Sequence, residues 1–114
     1  MKFSLAITTY NRPKETIKAF EKIRHDERIS EIVIQDDCSD VIFYNELVDY
    51  IESIDTDKIF LRRNTKNIGM AKNKHKAISY CVNSWVIILD SDNIITPIYL
   101  DALEQYGHEF SKNV

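Results

Sequence analysis

Apolar and polar positions alternate in blocks along the chain, and the period of the alternation changes from block to block. Residues 3–8 are a short apolar run that reads as a first strand, followed by a polar loop at 9–12. Pro13 suits the first position of a helix, and Ile17, Phe20 and Ile23 then recur at helical spacing. Residues 31–35, with Ile32-Val33-Ile34 at their centre, read as a second strand ending in the polar loop 36–40, where Asp40 is a candidate N-cap. Tyr44, Leu47, Val48 and Ile51 follow at i, i+3, i+4 and i+7, the stripe of an amphipathic helix. Residues 58–62 form a short third strand and 64–69 a loop. A helix over 70–82 is polar in its first half and packs Ala77, Ile78, Cys81 and Val82 later. The run 85–89 is the fourth strand. Thr96-Pro97 opens a last helix carrying Leu100, Leu103 and Tyr106, with Gly107 near its end. Four strand–helix units of this kind predict an α/β domain, doubly wound around a mainly parallel four-stranded sheet with right-handed crossovers.

In that architecture the polar residues after each strand gather at the carboxyl edge of the sheet, where α/β folds place their ligands. The most informative of them follow the fourth strand. Val86-Ile87-Ile88-Leu89 reads as a strand buried on both faces, and it stops at Asp90-Ser91-Asp92. In extended backbone two residues apart point to one side, so Asp90 and Asp92 converge there. Two hard oxygen donors suit Mg²⁺ or Mn²⁺, and such a cation suits a diphosphate. The competing reading is turn formation and helix capping, and context alone does not choose between the two. The chain carries its own control, because Asp55-Thr56-Asp57 has the same spacing in a turn-like segment before the third strand. Asp36-Asp37 ends the second strand in the same way. A loop-and-cap role is the simpler reading, and acceptance of a base N–H or ribose hydroxyl is the functional one. The loop Thr8-Thr9-Tyr10-Asn11-Arg12 has no glycine and cannot wrap phosphate as Gly-rich loops do, but its hydroxyls, aromatic face and amide suit a base and ribose. Lys72 lies close to a helix amino terminus, which favours anions.

Length and composition narrow the picture without redirecting it. The 114 residues fit a single domain, 1–114, that is small for an enzyme with two substrate sites. A net charge of −3 implies no nucleic-acid partner. The local exception is the basic stretch Arg62, Arg63, Lys66, Lys72, Lys74 and Lys76, of which residues 72–76 read as a solvated helix face, or Lys72 as a diphosphate contact. Cys38 and Cys81 lack zinc spacing and read as reduced thiols. No stretch approaches the ~20 apolar residues of a membrane span, and a cytoplasmic location, at most peripheral to a membrane, is expected.

Four segments, in this order, resemble glycosyltransferase family 2: residues 4–13, residues 31–40, Asn67-Ile68-Gly69-Met70-Ala71-Lys72-Asn73, and residues 85–93 with Pro97 behind them. The resemblance implies a Rossmann-like GT-A fold, of which this chain would be the amino-terminal half, ending soon after the Asp90-Ser91-Asp92 motif. It implies an inverting enzyme that transfers a sugar from a nucleotide-diphosphate donor, UDP- or GDP-linked, to a hydroxyl on a glycan or lipid-linked saccharide. Thr8, Thr9, Tyr10 and Arg12 would line the nucleotide pocket. Asp37, or less readily Asp36, would contact the base. Lys72 would stand where the family often has Arg, Asp92 would be the chief ligand of Mn²⁺ or Mg²⁺, and Asp90 would contact the ribose or the metal. Cys38 replaces a residue that is often Gly. Glu104 and Glu109 match no base motif, so no general base is assigned. A non-catalytic nucleotide-sugar-binding module or remnant shares the same donor site. A receiver-like signalling domain fits worse, because strand one ends in Thr-Tyr-Asn instead of an acidic pair and strand three in Arg62-Arg63 instead of an acceptor Asp. If later elements that cover the fourth strand are missing, its edge is open to a second copy, and a homodimer through that edge is expected.

Overall fold

The computed structural model describes residues 1–112, with side chains described through Gly107. Four strands and four helices alternate: β1 Phe3–Thr9, α1 Pro13–Glu21, β2 Ile29–Asp36, α2 Val41–Ser53, β3 Ile59–Arg63, α3 Met70–Ser79, β4 Val86–Asp90 and α4 Pro97–Lys112. The strands form one sheet in the order β3-β2-β1-β4, every pairing parallel. The chain therefore winds outward from β1 in both directions, and the reversal of direction falls between β1 and β4. In open α/β sheets that point leaves a crevice at the carboxyl ends of the strands.

Side-chain alternation assigns the two faces of the sheet. Leu5 and Ile7, Ile32 and Ile34, and Ile87 and Leu89 lie side by side in register and are buried against Ala19, Phe20, Leu47 and Leu100 of α1, α2 and α4. Each fully buried Leu, Ile or Phe contributes about 1.5–3 kcal/mol, so this face holds the domain together. The opposite face carries Ser4, Ala6 and Thr8 on β1 and Glu31, Val33 and Gln35 on β2. It is covered by α3 through Ala77 and Asn73.

Three expectations are corrected. β4 is covered on one face only: Ile87 and Leu89 are buried, but Ile88 is 49 % exposed. α3 sits mainly over β1 and β2, and β4 is the sheet edge. α3 stops at Ser79, because the Val82 N–H donates to the buried Glu31 carboxylate at 2.6 Å and draws the chain out of the helix. Val82 is left exposed. Finally, α4 runs through Gly107 instead of ending there. Gly107 is buried inside the helix, with the end of the flexible Met1 side chain packed against it.

Candidate functional site

Register brings the strand ends level. Thr8 pairs with Gln35 and Asp90, Thr9 with Asp36, and Asp36 with Arg63. The loops that follow surround a cavity of about 370 Å³ lined by Thr8 to Tyr10, Arg12, Asp37, Asn67, Gly69, Met70, Asn73 and Asp90 to Asp92.

The first two loops are tied to each other. The Asn11 N–H donates to Ser39 Oγ at 2.8 Å, and Asn11 Oδ1 accepts from the Asp40 N–H at 2.9 Å. Asn11 (φ 53°) and Cys38 (φ 63°) both adopt the left-handed conformation that side chains disfavour. Cys38 thus stands where a glycine would be unstrained. Behind Thr9, the Thr16 hydroxyl lies 2.7 Å from both Thr9 Oγ1 and the Arg12 carbonyl, fixing the turn into α1.

The adjacent aspartates of the second loop have different surroundings. Asp36 is fully buried, accepts from the Ser39 N–H and hydroxyl, and does not line the cavity. Asp37 does line it, and its carboxylate already accepts three N–H groups. Oδ1 takes the Ile68 backbone at 2.8 Å and Asn64 Nδ2 at 2.9 Å, and Oδ2 takes the Gly69 backbone at 3.0 Å. Asp37 therefore holds the loop before α3 in place, and Gly69 at φ 89° supplies the sharp entry into that helix. A buried amide cluster continues inward. Asn64 donates to Asn73 Oδ1 at 2.8 Å, Gln35 donates to Asn64 Oδ1 at 2.8 Å, and Asn73 donates to the Gln35 carbonyl at 3.0 Å. These links aim the amino terminus of α3 at the cavity, where unpaired helical N–H groups favour an anion.

Asp90 and Asp92 meet in the cavity by a different route from the extended one. Asp90 ends β4, and the Asn93 N–H donates to the Asp90 carbonyl at 3.0 Å, so a turn carries Asp92 back to the same opening. Ser91 is buried and Asp92 is exposed. Thr8 Oγ1 lies 3.4 Å from Asp90 Oδ1, and Lys74 Nζ lies 3.2 Å from the same oxygen. Lys74 is the residue that reading the sequence left unassigned. Neither lysine lines the cavity, but Lys74, two positions on from the exposed Lys72, reaches Asp90 of the acidic turn. The available signal was helical phase: with Asn73 turned inward, position 74 flanks the core side while position 72 lies on the other flank. Tyr10, 48 % exposed, presents an aromatic face at the cavity mouth.

The remaining candidates lie elsewhere. Glu104 is 3.6 Å from the Met1 amino group and does not line the cavity, and the Glu109 side chain falls outside the described residues. Both cysteines are free thiols. Burial, with Glu31 nearby, pushes Cys81 up to about 11, which keeps it protonated at neutral pH. Among the described residues no cluster of three His, Cys, Asp or Glu could hold a metal by itself. Two carboxylates lining one cavity nevertheless fit Mg²⁺ or Mn²⁺, which bind through one or two carboxylates and complete their shell with phosphate oxygens and water.

A model of glycosyl transferase family 2 matches residues 4–109, nearly the whole chain. The chain belongs to this family. Its fold is shared with solved glycosyltransferases. The crystal structure of S. aureus TarS 1-349 superposes with a TM-score of 0.76 at 23 % identity, covering 96 % of this chain and 33 % of that one. The same TarS fragment in complex with UDP-GlcNAc gives 0.76, again at 23 % identity, covering 96 % and 32 %. The mannosyltransferase PcManGT from Pyrobaculum calidifontis, in complex with GDP-Man and Mn²⁺, gives 0.70 at 18 % identity, covering 82 % and 28 %. The chain thus spans about a third of the length of these proteins. No curated protein matches it. Family membership removes the receiver-like alternative. Among the described residues no helix is long and apolar enough to cross a membrane.

Proposed function

We propose that this chain is the donor-binding half of a sugar transferase, acting on a nucleotide-diphosphate sugar of the UDP or GDP type. The observation that carries this reading is the single cavity in which the ends of β1, β2 and β4 and the start of α3 meet. Thr8, Thr9, Tyr10 and Arg12 form its nucleotide wall, with the Tyr10 ring free to stack on a base and the threonine hydroxyls placed for a ribose. Asp37 acts mainly through the loop it holds, since its oxygens are already engaged. Asp36 supports the turn and does not meet the donor. Asp92 and Asp90 are the ligands for Mn²⁺ or Mg²⁺, which when bound offsets diphosphate charge and makes it a better leaving group. Lys74 and the α3 amino terminus add positive potential on the same side. No residue lining the cavity is assigned as the base that would deprotonate an acceptor hydroxyl. The simplest expectation for the chain alone is metal-dependent donor binding with little turnover, the behaviour of a binding module.

Titration calorimetry with UDP and GDP in the presence of Mn²⁺ tests the reading. Heat that disappears on chelation supports it, and no heat at millimolar nucleotide would sink it. The location implied is the cytoplasm, where nucleotide sugars are the donors in reach. We further infer pairing of two copies through β4, whose outer backbone is unpaired and whose Ile88 is exposed. Sedimentation velocity over a range of concentrations should show a dimer, and a monomer at every concentration argues against that edge.

A further inference from the structure

Charge along the chain is segregated. Between Asp57 and Asp90 there are seven Lys and Arg and no Asp or Glu, whereas the rest of the chain has eight of the former and eighteen of the latter. Part of the basic stretch forms one face. Phe60 and Arg62, two apart on β3, point to the side of the sheet that α3 covers, next to Val33 and Glu31 of β2. These four residues, with Tyr80 and Val82 just beyond the end of α3, line a shallow groove of about 180 Å³. The Arg62 guanidinium stacks 3.7 Å over the Tyr80 ring. Lys72 and Lys76 on α3 and Tyr80 at its C-cap follow at i, i+4 and i+8, on the side of the helix where Tyr80 meets Arg62 of β3. Lys74, on the opposite flank, is the one that reaches Asp90. Among the described residues no carboxylate pairs with Arg62, Lys72 or Lys76. Apolar side chains are interleaved with these cations in the open: Phe60 is 48 % and Val82 82 % exposed.

We propose that this β3–α3 face docks on an anionic lipid surface. Unpaired cations alone would serve any polyanion, but a soluble polyanion offers no apolar phase for Phe60 and Val82. A bilayer interface takes both, with headgroups meeting the cations and the apolar side chains entering just below them. The face and the cavity share α3, whose first turn opens on the cavity while its β3 flank carries Lys72 and Lys76. Docking would hold the cavity beside the bilayer, within reach of an acceptor anchored there. The proposal does not depend on the donor reading, and its test contains no nucleotide.

The test is co-sedimentation of the full chain with vesicles of equal parts phosphatidylglycerol and phosphatidylcholine, against vesicles of phosphatidylcholine alone. Because the chain is net negative, bulk charge predicts repulsion from the first kind, and binding there requires a local basic face. Each cation near such a surface contributes about fivefold, so Arg62→Glu, Lys72→Glu and Lys76→Glu together should lower partitioning by ~100-fold or more. The same charge change at Lys14 and Lys18 on α1 and Lys22 at its C-cap, all exposed, should leave most of the binding intact. Phe60→Ser with Val82→Ser should weaken binding with the charges unchanged. The proposal is overturned if the wild type ignores the anionic vesicles, or if the α1 variant loses as much as the β3–α3 variant. It is equally overturned if the serine variant binds like wild type while polyphosphate displaces the protein fully, which would assign the face to a soluble polyanion.

Discussion

Asp55 and Asp57 stand at the amino edge of the sheet, in the turn before β3, while Asp90 and Asp92 stand at the carboxyl edge, after β4. The two motifs have the same spacing, and sheet polarity separates them. Both carboxylates of the first pair are exposed to water, whereas those of the second share a cavity with Thr8 and the start of α3, and Lys74 pairs with Asp90 at its edge. The contrast extends to the rest of the two edges. At the amino edge, Glu31 is buried and its Oε2 accepts from Ser4 Oγ and the Val82 N–H, both at 2.6 Å, while Asn83 caps Ser4 in turn. That cluster pins the α3–β4 connection and opens on no deep cavity. At the carboxyl edge, Asp37 is equally buried but lines the site. All three positive-φ residues among those described, Asn11, Cys38 and Gly69, lie in carboxyl-edge loops. Backbone strain of this kind collects where a loop must present groups to a ligand. One edge is built for closure and the other for access.

The sharpest way to break the comparison is to remove one aspartate from each pair. Asp92→Ala should lower Mn²⁺-dependent UDP or GDP affinity by at least ~10–100-fold, since loss of even an outer-shell group at a metal site costs that much. Asp57→Ala should leave affinity unchanged. Calorimetry on both variants decides, and equal losses would mean that the spacing alone, without its place in the sheet, confers binding. The two buried carboxylates give the next contrast. Glu31→Ala strands the Val82 N–H and the Ser4 hydroxyl and should destabilise the fold by about 1–3 kcal/mol without altering nucleotide affinity in the folded protein. Asp37→Ala should destabilise by a similar ~1–3 kcal/mol and also weaken nucleotide binding, because it frees the loop before α3. Denaturant melts paired with calorimetry separate the two outcomes. A Glu31→Ala protein that melts like wild type but fails to bind would reverse the assignment of the edges.

Strand and helix identity was legible because periodicity registers burial, and burial on the α1–α2 face is strong: Leu5, Ile7, Ile32 and Ile34 announce themselves. Periodicity was less informative where a residue leaves its element to satisfy a buried partner. Val82 looks apolar and therefore buried, but its backbone N–H is claimed by Glu31, twenty-seven positions beyond Ser4 in the chain and adjacent to it in space. The same limit applied at the cavity. Asp36 and Asp37 are indistinguishable as letters, and only the opposite sides of the chain on which they fall send one to Ser39 and the other to the loop at Ile68 and Gly69. Lys72 and Lys74 are separated by helical phase, which needs an exact helix start to read. The edge position of β4 was expected, but the one-sided exposure of Ile88 depends on where α3 lies across the sheet.

The smallest expected effect concerns the amino edge alone. Before β2, Arg28 grips Asp26 through Nε and a terminal nitrogen at 3.0 and 2.9 Å, and its other terminal nitrogen reaches Asp101 on α4 at 2.6 Å. Hydrogen bonds from Arg28 pull Asp26 down to about 2. An unfolded Asp titrates near ~3.9, so the folded chain holds this carboxylate ionised where the unfolded chain takes up a proton. The contribution is therefore fully present above pH ~4 and is lost as pH falls through the folded value near 2. Asp26→Asn should lower stability at neutral pH, where the contribution is fully present, and so flatten that part of the acid limb in thermal melts. Because the fork joins the start of β2 to the first turn of α4, the loss should register in unfolding with nucleotide affinity in the folded protein unchanged. If the acid limb of Asp26→Asn matches wild type, the Arg28 fork contributes nothing that titrates, and the amino edge is held by its buried clusters alone.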